Sequence, residues 1–318
     1  MTSLPDAHSW VEPGADPAAD RRADRRADPP ADNLAHPEAP PTNPVIANPW
    51  HALRRHTPAR IALGRAGIGL PTAAHLDFQL AHAQARDAVH RQLDVEALRS
   101  EIEALGLETV ALHSAAADRA TYLQRPDLGR KLAPASTALL QQWQAGRAGA
   151  ASVAPELAVV VVDGLSSLAV QRHAVPLLAA LLPLLRLEPA VKQSAGWCLA
   201  PVAVVTQGRV AVGDPVGEAW GSQAVVVLIG ERPGLSSPDS LGIYLTWAPK
   251  RGRSDAQRNC ISNVRPEGLD CHEAATRLAY LLGQARQLQL TGVGLKDERH
   301  SAPELDGKST LPRFLIGG

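Results

Sequence analysis

Four short apolar runs punctuate the second half of the chain: Leu157–Val162 (LAVVVV), Ala200–Thr206 (APVAVVT), Ala224–Ile229 (AVVVLI) and Gly242–Trp247. Such runs have the length and β-branched richness of strands, the first three of strands buried on both faces. Helical patterns alternate with them. One covers Leu165–Leu187, where Pro176 and Pro183 should bend or interrupt it. A short one runs to Trp220, with Asp214 as its cap, and a long one from Asp270 to about Gln289, capped by Asp270. Strands alternating with helices predict a mostly parallel sheet with crossovers. The run at Ala224–Ile229 empties into GERPGLSSPDS (Gly230–Ser240), a polar loop marked by glycine and proline. Open α/β sheets bind ligands at such places, although an ordinary tight connection has the same composition.

The first half reads differently. Helical periodicity holds from about Ala73 to Leu93, with Thr72 as a candidate cap, and again from Val95 to Leu105. Gly64, Gly67 and Gly69 form a loop ahead of it. No Gly-Lys-Ser/Thr follows and no apolar strand precedes, so a phosphate-binding loop of the Walker type is not expected. A small-residue linker, Ala145–Ala151, separates this helical region of about 45–150 from the strands. Residues 1–44 carry a four-residue repeat of alanine, charge and proline from Pro17 to Asp32, which cannot bury enough apolar surface to fold.

Composition narrows the classes. The 318 residues carry 32 basic and 32 acidic side chains, so no overall field favours nucleic acid or an anionic membrane. Three cysteines, Cys198, Cys260 and Cys271, show no CxxC spacing, which points to a reducing compartment without structural zinc. No apolar run has membrane-spanning length and none at the N-terminus resembles a secretory signal, so a soluble intracellular protein is expected.

Residue types alone give little chemistry. There is no Gly-x-Ser-x-Gly elbow and no Gly-x-Gly-x-x-Gly after the first strand. Glu231 beside Arg232 could be an acid with its partner, but such pairs in loops are more often structural. Cys260 has no neighbouring histidine in sequence to activate it. His75, Gln79 and His82 share a helix face without a third ligand at matching spacing, which favours polar packing over a metal. The focal loop looks built to bind rather than to react.

Several segments together resemble the small (light) subunit of ethanolamine ammonia-lyase. They are Asn48-Pro49-Trp50, TPARIALGRAGIGLPT (Thr57–Thr72), LDFQLAHAQARDAV (Leu76–Val89), VVDGLS (Val161–Ser166) and QGRVAVGD (Gln207–Asp214). LIGERPGLSSPDSLGIYLTW (Leu228–Trp247), RNCISNVRPEGL (Arg258–Leu269) and TGVGLKD (Thr291–Asp297) complete the set. They occur in the family's order over about 48–297, and the GERPGLSSPDSLG run is highly specific.

The resemblance implies an α/β chain in which a helical N-terminal domain (45–150) precedes a Rossmann-like, mostly parallel cobalamin-binding domain (151–318), after the tail 1–44. It implies adenosylcobalamin held between this chain and a large (heavy) barrel-shaped subunit that supplies the catalytic residues. The implied reaction is radical deamination of ethanolamine and related vicinal amino alcohols to oxo compounds such as acetaldehyde, with loss of ammonia. It implies cofactor contacts at Val210, Glu231 and Cys260, with no catalytic or metal-ligating residue in this chain. Asp270-x-His272 is a near-miss to a cobalt-ligating motif. The family's cofactor keeps its own benzimidazole on cobalt, and Asp270 makes sense as a helix cap. The implied location is the cytoplasm, in a bacterial microcompartment. A non-catalytic interaction or cargo protein on the same fold is the alternative.

Overall fold

Two strands buried along their whole length make the centre of the molecule. The computed structural model describes residues 45–147, 154–186 and 196–298, all within one compact unit, Val45–Gly318. The repeat tail and the linker's second half lie outside the described residues. In chain order, β1 (Val45–Ile46) pairs antiparallel with β2 (Arg65–Ala66), spanning a 3-10 helix at Pro49–His56. Then come α1 (Thr72–His90), α2 (Val95–Ala104), β3 (Thr109–His113), α3 (Arg119–Gln124) and α4 (Pro134–Arg147). The remainder is β4 (Leu157–Val162), α5 (Ser167–Arg186), β5 (Val202–Thr206), α6 (Gly213–Trp220), β6 (Ala224–Gly230), β7 (Leu241–Trp247), β8 (Arg258–Val264) and α7 (Cys271–Leu288).

Six strands form one sheet in the order β3-β5-β4-β6-β7-β8. The first four are parallel and the last two antiparallel. The pleat sends alternate residues of the central strands into two separate cores. Leu157, Val159 and Val161 of β4 and Ala224, Val226 and Leu228 of β6 pack in a core with α2, α5 and α7. Ala158, Val160, Val162, Val225, Val227 and Ile229 pack in another with α4 and α6. Since β4 leads into α5 on one face and β5 into α6 on the other, the chain parts at the carboxyl ends of β4 and β5. This is the switch point where open α/β sheets place ligands.

Several expectations are revised. β3, inside the region read as helical, pairs with β5 at one edge of the sheet, and β8 forms in a stretch to which the sequence reading assigns no element. Pro176 and Pro183 lie inside α5 without interrupting it, and its apolar face from Ala169 to Leu185 stays buried across both. By length and composition α5 could cross a membrane, contrary to the sequence reading, yet that face lies in the sheet's core. Thr72 is the first residue of α1, preceded by Pro71, and caps nothing. Asp214 lies within α6 rather than capping it, turned inward to Arg258. Asp270 caps α7 as expected, accepting from the His272 and Glu273 amides at 2.9 Å each.

The segment before α2 is unlike the rest. Of α1 only Ala81 and Ala88 are buried, while Leu76, Phe78 and Leu80 are exposed. Trp50 is exposed, and Ile68, at the tip of the turn after β2, is fully so.

Candidate functional site

The floor of the switch point is set by two glycines that let β4 and β6 meet. Gly164 has φ +58°, and a Cβ there would lie 2.2 Å from the Gly230 carbonyl. Leu165 donates its amide to that carbonyl at 2.9 Å. Asp163 ties the same turn to β5, accepting from the Gln207 amide at 2.9 Å and the Gly208 amide at 3.2 Å. Burial raises its pKa against those bonds and against Arg119, 3.8 Å away. VVDG and QGRV are therefore two halves of one latch.

The GERPGLSSPDS loop is clamped from below. Ser166 donates to the Pro238 carbonyl at 2.8 Å, and Asp239 meets Arg172 at 2.8 Å, His173 at 3.5 Å and Arg265 at 3.9 Å. Burial works against the Asp239 charge, but the Arg172 hydrogen bond and the Arg265 and His173 charges hold its pKa below the ordinary value. Burial lowers the His173 pKa, with Asp239 opposing. The signs fix a pH dependence. His173 is neutral in the native state where the unfolded chain already takes up protons, so it costs stability as pH falls below 6.5. Asp239 keeps its contribution there and loses it only below 3.8. The melting temperature should fall between about pH 7 and about pH 5, and His173→Gln should flatten that fall. An equally steep fall in the variant would locate the titration elsewhere.

Above this frame a cavity of about 490 Å³ opens at the ends of β4 and β6 and at the turn after β5. Leu165, Val210 and Ile229 give it apolar walls; Glu231, Arg209 and Arg130 give it polar ones. Glu231 follows β6 directly, and its carboxylate accepts from the Ser240 hydroxyl, the Ser262 hydroxyl at 2.5 Å and the Asn263 amide at 3.2 Å. The expected Glu231–Arg232 pair is absent among the described residues. A carboxylate so held keeps about one acceptor site for a further donor without moving.

Of the three residues implied as cofactor contacts, two share this cavity: Val210, opening the 3-10 turn before α6, and Glu231. Cys260 lies one strand away on β8, opposite Tyr244 of β7 in register, and Tyr244 lines the cavity. Burial, with the nearby Glu231 carboxylate, pushes the Cys260 thiol up while its Tyr244 hydrogen bond opposes. It is a neutral thiol, which suits a small contact or weak donor better than a nucleophile.

Residue reasoning missed Tyr122. It is fully buried on α3 and lines the cavity, and the guanidinium groups of Arg119 (4.7 Å to the centroid) and Arg209 (4.3 Å) both lie over its ring. Its hydroxyl has no hydrogen-bond partner, nor does Arg209 Nε. Burial pushes the Tyr122 pKa up to about 12, so the group stays a donor. No local pattern marks a tyrosine in YLQRPDLGR as part of a site 87 residues further on. On α1, His75 bonds to Gln79 at 2.8 Å and His82 stacks on Phe78.

Comparison with known proteins decides the family. The family model described as ethanolamine ammonia-lyase light chain (EutC) matches residues 47–296. The chain belongs to the ethanolamine ammonia-lyase small-subunit family. A protein of Azotobacter vinelandii named ethanolamine ammonia-lyase small subunit is 57% identical over 276 residues, covering 86% of this chain and 98% of that relative. Proteins of the same name from Pseudomonas syringae pv. tomato (56% over 284 residues, 87% and 94% covered) and Ralstonia nicotianae (57% over 253 residues, 80% and 90% covered) are similar. The expectation of an ammonia-lyase subunit stands, and the relatives' shared name implies for them a larger companion chain. Much of the family pattern is framework. Besides the latch, Asn259 of RNCISN donates to the Leu295 carbonyl at 2.8 Å and accepts from the Gly292 amide at 2.8 Å, joining β8 to TGVGLKD.

Proposed function

We propose that this chain is the cofactor-holding subunit of an adenosylcobalamin-dependent ethanolamine ammonia-lyase, paired with a large subunit that supplies the catalytic residues. The substrates would be ethanolamine and related vicinal amino alcohols, released as acetaldehyde or other oxo compounds and ammonia. The observation that carries the reading is the meeting of Val210 and Glu231, from separate turns, in one cavity at the sheet's switch point. The residues fit a corrinoid. Leu165, Val210 and Ile229 offer apolar surface to a macrocycle, and the fixed Glu231 carboxylate offers an acceptor to its peripheral amides. The unpartnered Tyr122 hydroxyl offers a buried donor. When bound, the group would supply an organic radical by cobalt–carbon homolysis. This chain's task would be to position it, with Glu231 pinned by Ser240, Ser262 and Asn263 and with the cavity floor fixed by Gly164 and Gly230.

A corrinoid is larger than this open cavity can enclose, so its other face needs a second chain. Trp50, Ile68, Leu76, Phe78 and Leu80 are exposed before α2, and in this reading a partner chain would cover them. In this reading the helical region of 45–150 serves assembly and the Rossmann-like region of 151–318 the cofactor. The resemblance extends the proposal to the cytoplasm and to a protein-shelled bacterial microcompartment, which recovery of both chains in a purified shell fraction would test.

The experiment is a corrinoid titration of the co-expressed two-subunit complex, followed by absorbance. Glu231→Ala should weaken adenosylcobalamin binding by about 10-fold or more while both chains stay assembled. Wild-type affinity in the variant would remove Glu231 from the site; no binding by the wild-type complex would overturn the reading.

A further inference from the structure

A second cavity of about 530 Å³ adjoins the first, and both are lined by Arg130 and Ala211. Its walls include Lys131, Arg251 and Arg253. The one carboxylate in its lining, Asp214, is already neutralised by Arg258 at 2.7 Å. Arg251 approaches Glu218 at 3.9 Å, and Arg253 binds the Ala248 carbonyl. Arg130 and Lys131 pair with no carboxylate among the described residues. The second cavity is therefore cationic, and Arg130 joins it to the first, whose lining also carries Glu231 and Asp255.

Arg130 is held there by backbone. The Arg209 amide donates to the Gly129 carbonyl at 2.7 Å, and Arg209 Nη2 reaches the Tyr122 carbonyl at 3.3 Å. Behind this seam are the two orphaned buried groups, Tyr122 Oη and Arg209 Nε. A buried hydroxyl or guanidinium N–H without a protein partner costs free energy unless water or a ligand completes it, and these two line a cavity that can admit either. Arg130, Arg209 and Tyr122 all line the first cavity, together with the carboxylates Glu231 and Asp255, and Arg130 alone of the three also lines the basic one. That distribution is complementary to a ligand with an apolar, amide-bearing body and an anionic end.

We infer that Arg130, Arg209 and Tyr122 form an anion subsite in the first cavity, on the side where Arg130 joins it to the second, which takes the phosphodiester of the cofactor's nucleotide loop. The inference rests on the adenosylcobalamin reading and deepens it. The macrocycle would occupy the cavity of Val210 and Glu231, and the nucleotide end would run past Arg130 into the basic cavity. Arg130 is a suitable handle because its guanidinium can bind two phosphate oxygens at once. Tyr122 stays protonated at all working pH values, its pKa being pushed up to about 12 by burial.

The test uses two probes on the assembled two-subunit complex, followed by absorbance of the bound corrinoid. Adenosylcobalamin carries the phosphodiester; adenosylcobinamide lacks the nucleotide loop and therefore the phosphate. Arg130→Gln changes an exposed side chain and should leave folding intact. It should weaken adenosylcobalamin binding by about 10-fold and leave adenosylcobinamide unchanged. Tyr122→Phe, which removes only the unpartnered hydroxyl, should follow the same pattern with a loss of about 3- to 10-fold. Equal losses for both probes, or no loss for adenosylcobalamin, would overturn the subsite while leaving the cofactor reading in place. A wild-type complex that binds neither probe would overturn both.

Discussion

Replacing Asp214 by alanine is expected to cost about 3–5 kcal/mol of folding stability, because it strands a buried guanidinium. Arg258 and Asp214 form a two-pronged pair with both bonds at 2.7 Å, and their side chains are 1% and 2% exposed. The Thr246 hydroxyl at 2.9 Å and the Arg253 carbonyl at 3.1 Å take further Arg258 donors. These neutral acceptors cannot replace the carboxylate's charge, and the one other carboxylate near Arg258, Asp255 at 3.5 Å, is exposed and screened by solvent. The melting temperature should drop by roughly 10 °C. The double replacement Asp214→Leu with Arg258→Met should cost much less, since removing both charges leaves none stranded. If the single and double variants melted together, the pair would not be acting as a buried ion pair. Asp214 belongs to QGRVAVGD and Arg258 to RNCISN, so the pair also joins two blocks of the family pattern across α6 and β8.

The second large effect is expected at Gly230. A Cβ there would lie 2.0 Å from the Ser166 carbonyl oxygen and 2.6 Å from that of Asp163. Both are backbone atoms at the end of β4 and the start of α5, so no side chain can swing away. Gly230→Ala must push β6 from β4, at a cost above the ~1–3 kcal/mol of ordinary overpacking. The same displacement moves Glu231, the next residue, and should abolish corrinoid binding. Gly221 is the control. Its φ is +67° but a Cβ there meets nothing within 4 Å, so Gly221→Ala carries only the left-handed backbone cost of ~1–2 kcal/mol. Thermal melts of the two variants compare contact with conformation. Equal losses would mean that the close approach of β4 and β6 is not rigid.

These positions show what local sequence can and cannot carry. LAVVVV and AVVVLI read as buried strands because every side chain is apolar, and all their residues are buried. β8 was illegible because RNCISNV mixes a paired arginine with exposed Ser262 and Asn263. β3 was hidden by polar ends, Thr109 and His113, on a five-residue edge strand. Asp214 looked like a helix cap because caps are local, whereas its partner is 44 residues distant. The focal loop was legible as a binding place from its glycines, prolines and position after a strand. The roles proposed for Val210 and Glu231 come from the family resemblance, and only the folded chain brings Tyr122, Arg130 and Arg209 into the same cavity. Charge and burial at that junction depend on contacts between turns that share no periodic signal.

The central claim is that the crest of β4, β5 and β6 grips a corrinoid. The most direct measurement is a crystal or cryo-electron-microscopy map of the two-subunit complex loaded with hydroxocobalamin. The macrocycle should lie against Val210 and Glu231, with the nucleotide phosphate beside Arg130. Corrinoid density that makes no contact with the turns following β5 and β6 would contradict the account.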